Sequence, residues 1–222
     1  MIEIKNLSFR YDKKFYALFN IALTIYDNQK ILMSCEQELE TQTLFRILSK
    51  QEKDYSGDIY FDNKNLKEIK TANLDVCYIT KTPYLLKNKS VLYNIAYPLI
   101  IRKENKKNSL KIAEKLLKKY NLIQLKNKKI KKLTKNEQIS IILLRCAIRN
   151  PKYIFCDDID FDQNNFELFI NISKNSTILF AKNNYNNNTL IASFQTNTIN
   201  SQNIKNFTQF YNIKFVGGSI EL

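Results

Sequence analysis

The sequence predicts an α/β fold in which helices flank a mostly parallel central sheet. Three observations in one stretch of chain lead to this prediction. Thr134 and Glu137 have the spacing of a reciprocal capping box, which marks the N-terminus of a helix. Residues 138–149 are apolar on most of the helical surface, so this helix should be buried on several sides until Asn150-Pro151 ends it. Residues 153–156 then form a short apolar run, which is typical of a strand buried on both faces of a parallel sheet.

The N-terminal third of the chain predicts further strands. Residues 2–9 alternate apolar and polar side chains, and residues 17–26 give a second strand after a turn at residues 12–14. The later strands of this part are residues 31–33, the strand after a turn at Gly57, and residues 74–80.

The middle of the chain predicts an amphipathic helix and a basic connector. Residues 108–120 place lysines on one side of a helix and apolar residues on the other, namely Leu110, Ala113, Leu116, Leu117 and Tyr120. The connector back to the capped helix holds Lys126, Lys128, Lys129, Lys131 and Lys132. Such a run is by default a solvated loop, although a lysine close to an anionic leaflet is worth roughly 1 kcal/mol.

The last quarter of the chain carries weaker signals. Residues 177–181 predict a strand, and an Asn-rich loop follows at residues 183–188. Two strand-like patches, residues 190–194 and 211–216, precede turn chemistry at Gly217-Gly218. The length of 222 residues is enough for one large α/β domain with a full core, which is the organisation that we expect.

The composition excludes several classes of site. The chain has no histidine, and its cysteines (Cys35, Cys77, Cys146 and Cys156) lie at no metal-like spacing, which excludes zinc sites, histidine-based acid–base chemistry and Ser-His-Asp triads. No apolar run approaches the roughly 18 residues of a membrane span and no signal peptide opens the chain, so we expect a cytosolic protein. The net charge of +14 is typical of a protein that binds nucleic acid or an anionic membrane. Because the chain is also crowded with Asn, Ile and Tyr, we interpret this charge as general compositional drift.

Two carboxylates, Asp157 and Asp158, end the buried strand, at the edge where open α/β sheets place their ligands. The order of capped helix, Asn-Pro, buried strand and acidic pair resembles the signature-to-Walker-B region of ABC-type ATPases. The matching residues are Leu133, Thr134, Glu137, Gln138, Arg145, Pro151 and Asp157. Lys135 and Asn136 stand where that family has its two glycines, and Asp158 stands where it has the catalytic glutamate.

The resemblance implies an ABC-type P-loop NTPase-like fold over the whole chain. It adds an N-terminal antiparallel β part, an inserted helical lobe at about residues 82–136 and a divergent C-terminal part at about residues 185–222. It also places Tyr11 where an aromatic side chain stacks on adenine, Lys81 where the Q-loop glutamine lies, and Asn183 where the switch histidine lies. For Tyr11, a half-buried tyrosine at the edge of a strand is an equally open interpretation.

The segment in register with the P-loop departs from the family pattern. A P-loop needs glycines so that backbone N–H groups close around the phosphates, a lysine to neutralise them and a hydroxyl to bind Mg²⁺. The residues in register are Cys35 and Glu40 for the two glycines, Thr41 for the lysine and Gln42 for the serine or threonine, with Thr43 directly after them.

The charge of this segment is also reversed. We expect Glu36, Glu38 and Glu40 to lie along the loop that would hold a triphosphate. A charge pair at about 4 Å is worth roughly 4 kcal/mol at an effective dielectric near 20, so loss of the lysine and gain of a glutamate should abolish ordinary MgATP binding. We therefore expect no cofactor and an inactive ATPase. If the family activity survives, ATP and Mg²⁺ are its cofactors and Asp157 is the metal ligand; otherwise Asp157 and Asp158 are carboxylates satisfied at a strand end.

The resemblance further implies a membrane partner. Within the family the chain is most similar to the cell-division FtsE group, whose members work with the integral membrane protein FtsX, and lipoprotein-release subunits share much of the same pattern. The family's docking surface lies beside the Q-loop, where the apolar residues are Pro83, Tyr84, Leu85 and Leu86. These side chains either receive a cytoplasmic helix of an FtsX-like permease or pack under the helical lobe. The implied location is the inner face of the cell membrane, reached through that partner.

Two other functions remain open at this point. One is a working ATPase, either alone or paired with an intact ABC subunit, so both a homodimer and a heterodimer stay open. In the mixed dimer, Lys135 contacts the γ-phosphate held by the partner. The other is a basic nucleic-acid-binding protein, for which the sequence offers charge but no aromatic-basic recognition motif, so we expect no nucleic-acid partner.

Overall fold

The computed structural model describes residues 1–12, 15–35, 38–80, 84–183, 212–216 and 219–221. The strands are β1 Ile2–Phe9, β2 Leu18–Ile25, β3 Lys30–Cys35, β4 Ser56–Phe61, β5 Lys64–Asn65, β6 Val76–Ile79, β7 Tyr153–Asp157, β8 Thr177–Asn183, β9 Asn212–Val216 and β10 Ser219–Glu221. The helices are α1 Glu38–Leu48, α2 Val91–Ile101, α3 Lys106–Lys119, α4 Lys135–Ala147 and α5 Gln163–Ile172, with three short 3-10 turns.

Four strands form an antiparallel sheet in the order β2-β1-β4-β5. The central strand β1 pairs Ile2 with Ile25 of β2 on one side and with Phe61 of β4 on the other. The alternation in residues 2–9 arises because Ile2, Ile4, Leu7 and Phe9 are buried against the core. The predicted antiparallel β part is therefore confirmed.

Six strands form the main sheet in the order β10-β9-β3-β8-β7-β6, and all its pairings except β9 with β10 are parallel. All five residues of β7 are buried because β6 and β8 flank it and its faces are covered. On one face the ring of Phe155 stacks on that of Phe45 from α1 at a centroid distance of 5.5 Å. The predicted mostly parallel central sheet with flanking helices is confirmed.

The chain divides into two compact units. The sheet unit comprises residues 1–80, 152–159 and 175–222, and the helical unit comprises residues 81–151 and 160–174. The expected single domain over residues 1–222 stays a prediction, as does the lobe at about residues 82–136. The strand patch at residues 190–194 and most of the expected C-terminal part lie outside the described residues.

The helical unit packs α2 against α3 and α4, and α4 against α5. At the start of α4 the Glu137 N–H donates to Thr134 Oγ1 at 3.2 Å, and the Thr134 N–H donates to Glu137 Oε2 at 2.8 Å. This reciprocal pair is the predicted capping box. The helix begins at Lys135, earlier than the expected residue 138, because the cap fixes its start, and it ends at Ala147 instead of 149.

The sequence predicts no segment long and apolar enough to span a membrane. Within residues 1–183, apart from the short gaps in the described ranges, no helix combines the length and the apolar composition that a bilayer crossing requires.

Gly57 is the position where the fold depends on a missing side chain. Its φ is +87°, and an added Cβ would lie 2.6 Å from the Lys5 carbonyl oxygen and even closer to that of Asn6, both in β1. We expect Gly57→Ala to lower the free energy of unfolding by about 2 kcal/mol or more, since left-handed strain and a backbone clash add. Urea denaturation followed by circular dichroism measures the loss. The neighbouring control Ser56→Ala should lose less than about 1 kcal/mol, and equal losses in the two variants would contradict this account.

Candidate functional site

The C-terminal edge of the parallel sheet is the place where a ligand site would form. Cys35 ends β3 there, directly paired with Asn183 of the neighbouring strand β8 and with Phe215 of β9. Two of the predicted positions, the first P-loop glycine and the switch histidine, thus lie side by side on this edge. Their side chains are outside the described part of the structure.

The helix after β3 begins earlier than the P-loop register predicts. β3 ends at Cys35 and α1 already begins at Glu38. The expectation that Glu38 and Glu40 lie along a loop is therefore wrong, because both belong to the first turn of α1; Glu36 lies outside the described residues. Residues 38–40 are good helix formers without glycine, and carboxylates are favoured in a first turn by the positive end of the helix dipole.

Three side chains near the start of α1 are buried in the protein. Glu40 is only 4% exposed, and Thr41 and Thr43 are fully buried. Thr43 Oγ1 donates to the Leu39 carbonyl, as threonines inside helices commonly do. Thr41 stands at the position of the P-loop lysine, whose side chain would meet the phosphates. In this structure the residue at that position is buried in the core.

Tyr11 lies just beyond the end of β1 and is half exposed. Its hydroxyl is 3.1 Å from Thr43 Oγ1, and its ring packs edge-on against Phe9 at a centroid distance of 4.8 Å. Tyr11 is thereby tied to α1, and its role beside an adenine ring stays a prediction.

The acidic pair occupies the end of β7, and both side chains are buried. Asp157 is 2% exposed, and the Tyr78 hydroxyl donates to its Oδ2 at 3.4 Å. Burial raises the pKa of Tyr78 far above its usual range, and the Asp157 charge raises it further. Asp158 has a left-handed φ of 41°, and its N–H donates to the Ala181 carbonyl at 2.9 Å. The pair therefore belongs to the hydrogen-bonded end of the sheet, and a metal-ligand role for Asp157 stays a prediction.

The segment after the Q-loop position is held by the helical unit. Asn94 of α2 is fully buried and makes three hydrogen bonds to backbone. It accepts from the Leu86 N–H at 2.8 Å and donates to the carbonyls of Leu86 at 3.2 Å and Ser90 at 2.9 Å. Arg145 Nη1 donates to the Tyr84 carbonyl at 2.6 Å. Sequence reasoning missed Asn94, because its partners are backbone groups that leave no mark in the side-chain pattern.

This anchoring presents Tyr84 to solvent. Its side chain is 96% exposed, whereas Leu85 and Leu86 are half-buried. The sequence leaves two interpretations of this segment, docking of a partner helix and packing under the helical lobe. The partial burial of Leu85 and Leu86 fits packing, whereas the exposure of Tyr84 does not. Lys81 and Pro83 lie outside the described residues. Docking through this segment stays a prediction.

The signature-like residues surround the N-terminus of α4. Leu133 is buried, Thr134 is the N-cap, and Lys135 and Asn136 are exposed in the first turn. Gln138 Nε2 donates to the Leu133 carbonyl at 3.1 Å. A second missed residue, Asn165 of α5, also contacts this turn.

Asn165 is buried and fastens α5 to the start of α4. Its Nδ2 donates to the Asn136 carbonyl at 3.1 Å, and its Oδ1 accepts from Ser140 Oγ at 2.6 Å. The exposed helix N-terminus is thus rigidly supported from within its own unit.

Comparison with known proteins decides the family. Residues 41–160 match the family model described as ABC transporter. The chain belongs to the ABC transporter ATP-binding domain family. The match covers more than half of this ABC chain and includes α4, β7 and the acidic pair, and it begins at Thr41, after the segment of Cys35 to Glu40.

Relatives of this ABC chain serve several systems. The lipoprotein-releasing system ATP-binding protein LolD of Wigglesworthia glossinidia brevipalpis is 28% identical over 167 residues, which are 71% of this chain and 73% of the relative. The molybdate/tungstate import ATP-binding protein WtpC of Methanocaldococcus jannaschii is 27% identical over 158 residues, which are 71% of this chain and 52% of that protein.

Solved ATP-binding cassettes share the fold. A nucleotide-free ATP-binding cassette from an ABC transporter superposes with a TM-score of 0.73 at 19% identity, covering 100% of this chain and 90% of that one. The cassette MJ0796, solved as a dimer in a post-hydrolysis state with ADP and Pi, superposes with a TM-score of 0.73 at 18% identity over 100% and 97% of the two chains. These likenesses establish the ABC-type fold that the sequence predicts.

Removal of the Asn94 amide tests how the Tyr84 segment is held. We expect Asn94→Ala to lower the free energy of unfolding by about 2–3 kcal/mol, since it leaves partly buried backbone groups of Leu86 without the Asn94 partner. Hydrogen exchange should also accelerate at the Leu86 amide by at least about tenfold. The control Asn127→Ala changes an exposed asparagine of the same unit and should leave both quantities nearly unchanged. Unaltered exchange at Leu86 in the Asn94 variant would refute the anchoring role.

Proposed function

We propose that this chain is a degenerate ABC-type subunit of the FtsE kind, which docks onto an integral membrane partner of the FtsX kind and has lost ATP binding and hydrolysis. The role is in cell division or transport. One observation carries the proposal: α1 begins at Glu38, within the segment that would form the phosphate cradle.

The geometry argues against a triphosphate at this edge. A phosphate-binding loop works because several successive backbone N–H groups curve around the phosphates, which requires glycines and an open turn. In the proposed register, Glu40, Thr41 and Gln42 replace glycine, lysine and serine, and all three are helical. Thr41, which stands at the lysine position, is uncharged and fully buried, so it delivers no cation to the site.

The electrostatics point the same way. A helix N-terminus attracts an anion, but the first turn here has glutamates at positions 38 and 40 and no lysine. Loss of one lysine interaction and gain of one repulsion, each roughly 4 kcal/mol at an effective dielectric near 20, together approach the roughly 8 kcal/mol of a micromolar ligand. The residues present therefore do not fit MgATP, and we derive no catalytic step through it.

The remaining nucleotide positions support the loss. Asp157 is buried against the Tyr78 hydroxyl, and Asp158 replaces the catalytic glutamate with a shorter side chain. Phosphoryl transfer depends on positioning and charge stabilisation, and a lysine at position 81 and an asparagine at position 183 supply neither the Q-loop glutamine nor the switch histidine.

The docking half of the proposal rests on Tyr84. Aromatic side chains are the commonest energetic anchors of protein interfaces, and one that is 96% exposed on a firmly held backbone is ready to enter a partner's pocket. Such docking holds the chain at the inner face of the cell membrane. The names of the relatives, which include lipoprotein-releasing and import systems, make transport the alternative to cell division.

A second candidate is a working ATPase in a mixed dimer. The N-terminus of α4 favours it, because Lys135 and Asn136 are exposed there on an intact capped helix, which is an arrangement that attracts anions. In that dimer an intact subunit holds the nucleotide, and this chain contributes Lys135 from the other side.

Equilibrium binding of a fluorescent ATP analogue separates the two candidates. The isolated chain should show no saturable Mg²⁺-dependent binding below about 1 mM, which corresponds to roughly 4 kcal/mol. Glu40→Gln removes one charge and should still fail to bind, because no lysine is restored. Micromolar Mg²⁺-dependent affinity of the isolated chain would overturn the loss of nucleotide binding. In the mixed-dimer alternative, binding appears only after an intact subunit is added and falls with Lys135→Ala.

Co-purification from detergent-solubilised membranes tests docking. The full chain should retain a polytopic membrane protein, and Tyr84→Asp should lower its recovery at least about tenfold, since a charged side chain cannot fill an apolar pocket. The matched control is Tyr26→Asp, which changes an exposed tyrosine of the sheet unit. Equal recovery with both variants would remove Tyr84 from the interface.

A further inference from the structure

The net charge is confined to one of the two units. The helical unit carries 20 Lys and Arg residues against 6 Asp and Glu residues, a net charge of +14, whereas the sheet unit carries 15 of each. General compositional drift accounts for lysines in both units, but it does not account for an excess of positive charge in only one of them. An excess confined to one unit indicates an anionic partner for that unit.

Part of this charge lies on one side of α3. The lysines Lys107, Lys111, Lys115, Lys118 and Lys119 recur at helical spacing and are all exposed. They lie opposite Ala113 and Leu117, which are fully buried against the rest of the unit. The helix thus presents a continuous lysine face.

A second group lies beside α3 on the connector. Lys128, Lys129, Lys131 and Lys132 are exposed there, and Lys87 and Lys89 run alongside them. The Ile130 N–H donates to the Lys89 carbonyl at 3.4 Å, and the Val91 N–H donates to the Lys128 carbonyl at 2.9 Å. We call these six side chains and the five of α3 the lysine surface.

Glu114 joins the two groups. Its Oε1 is 3.0 Å from Lys126 Nζ of the connector and 3.8 Å from Lys118 Nζ of α3. The connector therefore lies directly against the lysine side of α3. The lysine surface is one surface of the helical unit.

We propose that the lysine surface binds the anionic phospholipid headgroups of a membrane leaflet. The inference rests on the proposed function, because docking through Tyr84 brings the helical unit to the bilayer. Lys87 and Lys89 follow the docking segment directly in the chain, and the Leu86 carbonyl accepts from the Lys89 N–H at 3.0 Å. Clusters of lysines next to a membrane anchor bind anionic lipid through nonspecific charge attraction.

The same side chains favour lipid over nucleic acid. Binding of single strands needs open aromatic faces for base stacking. Within the lysine surface the rings of Tyr93 and Tyr120 are covered, with Lys89 and Lys119 at 5.4 and 5.2 Å from their centroids, and the exposed Tyr84 lies in the docking segment. Ile101 at the end of α2 is 59% exposed beside Arg102, and an apolar side chain among cations suits the interface of a bilayer.

Vesicle sedimentation with the full chain tests the inference. Binding to vesicles of 70% phosphatidylcholine and 30% phosphatidylglycerol should exceed binding to pure phosphatidylcholine at least about tenfold, and should weaken as NaCl rises. A triple variant should lower the membrane partition coefficient about 100-fold, because each lysine near the leaflet contributes about fivefold. Its substitutions are Lys129→Gln, Lys131→Gln and Lys132→Gln. The matched control removes the same charge from exposed positions of the sheet unit, with Lys53→Gln, Lys64→Gln and Lys70→Gln. It should change the partition coefficient less than about threefold.

Three results would overturn the inference. They are equal binding to both vesicle types, equal losses in the two triple variants, and displacement of the chain from anionic vesicles by a 30-nucleotide RNA at lower phosphate concentration. The last result assigns the surface to nucleic acid. The vesicle experiment contains neither a membrane partner nor a nucleotide. Lipid binding by the lysine surface therefore stands even if the ATP titration or the co-purification fails. Absence of lipid binding does not affect the conclusions from those two experiments.

Discussion

The start of α1 is the constraint on which the functional account depends. In any α/β sheet of this kind, the turn after a central strand decides what the sheet edge can hold. Here β3 ends at Cys35 and the helix begins at Glu38, so the positions of the second glycine and the lysine lie inside the helix. The first N–H groups of a helix have no partner within it, but the first turn here carries glutamates and an uncharged, buried Thr41 in place of glycines and a lysine. In the proposed function, this edge no longer holds a ligand cradle and the start of α1 belongs to the core.

The scaffold around that edge is retained for independent reasons. β7 is buried on both faces and pairs with β6 and β8, so its apolar residues serve the core whether or not a nucleotide binds. Asp157 and Asp158 complete the hydrogen bonding at its end. In the helical unit, Asn94 holds the backbone near Tyr84, which faces the membrane partner in the proposed function, and Asn165 holds the start of α4, which faces the intact subunit in the mixed-dimer alternative. Loss of nucleotide chemistry and retention of docking are therefore physically compatible.

Sequence reasoning succeeded where the signal is local. The Thr134–Glu137 capping box and the apolar run of β7 are short patterns with one structural solution, and both were predicted. The position of Glu38 and Glu40 was not, because the register of a family motif does not reveal where a helix nucleates once its glycines are gone. Sequence reasoning also missed that the net positive charge is confined to the helical unit. This unit is assembled from two separate segments, residues 81–151 and 160–174, and only the fold brings them together.

A crystal structure of the chain grown in excess MgATP tests the central claim most directly. The account predicts that α1 still begins at Glu38, with Thr41 inside the core and no nucleotide at the C-terminal edge of β3. A nucleotide bound against residues 35–43, with the first turn of α1 unwound around its phosphates, would contradict it.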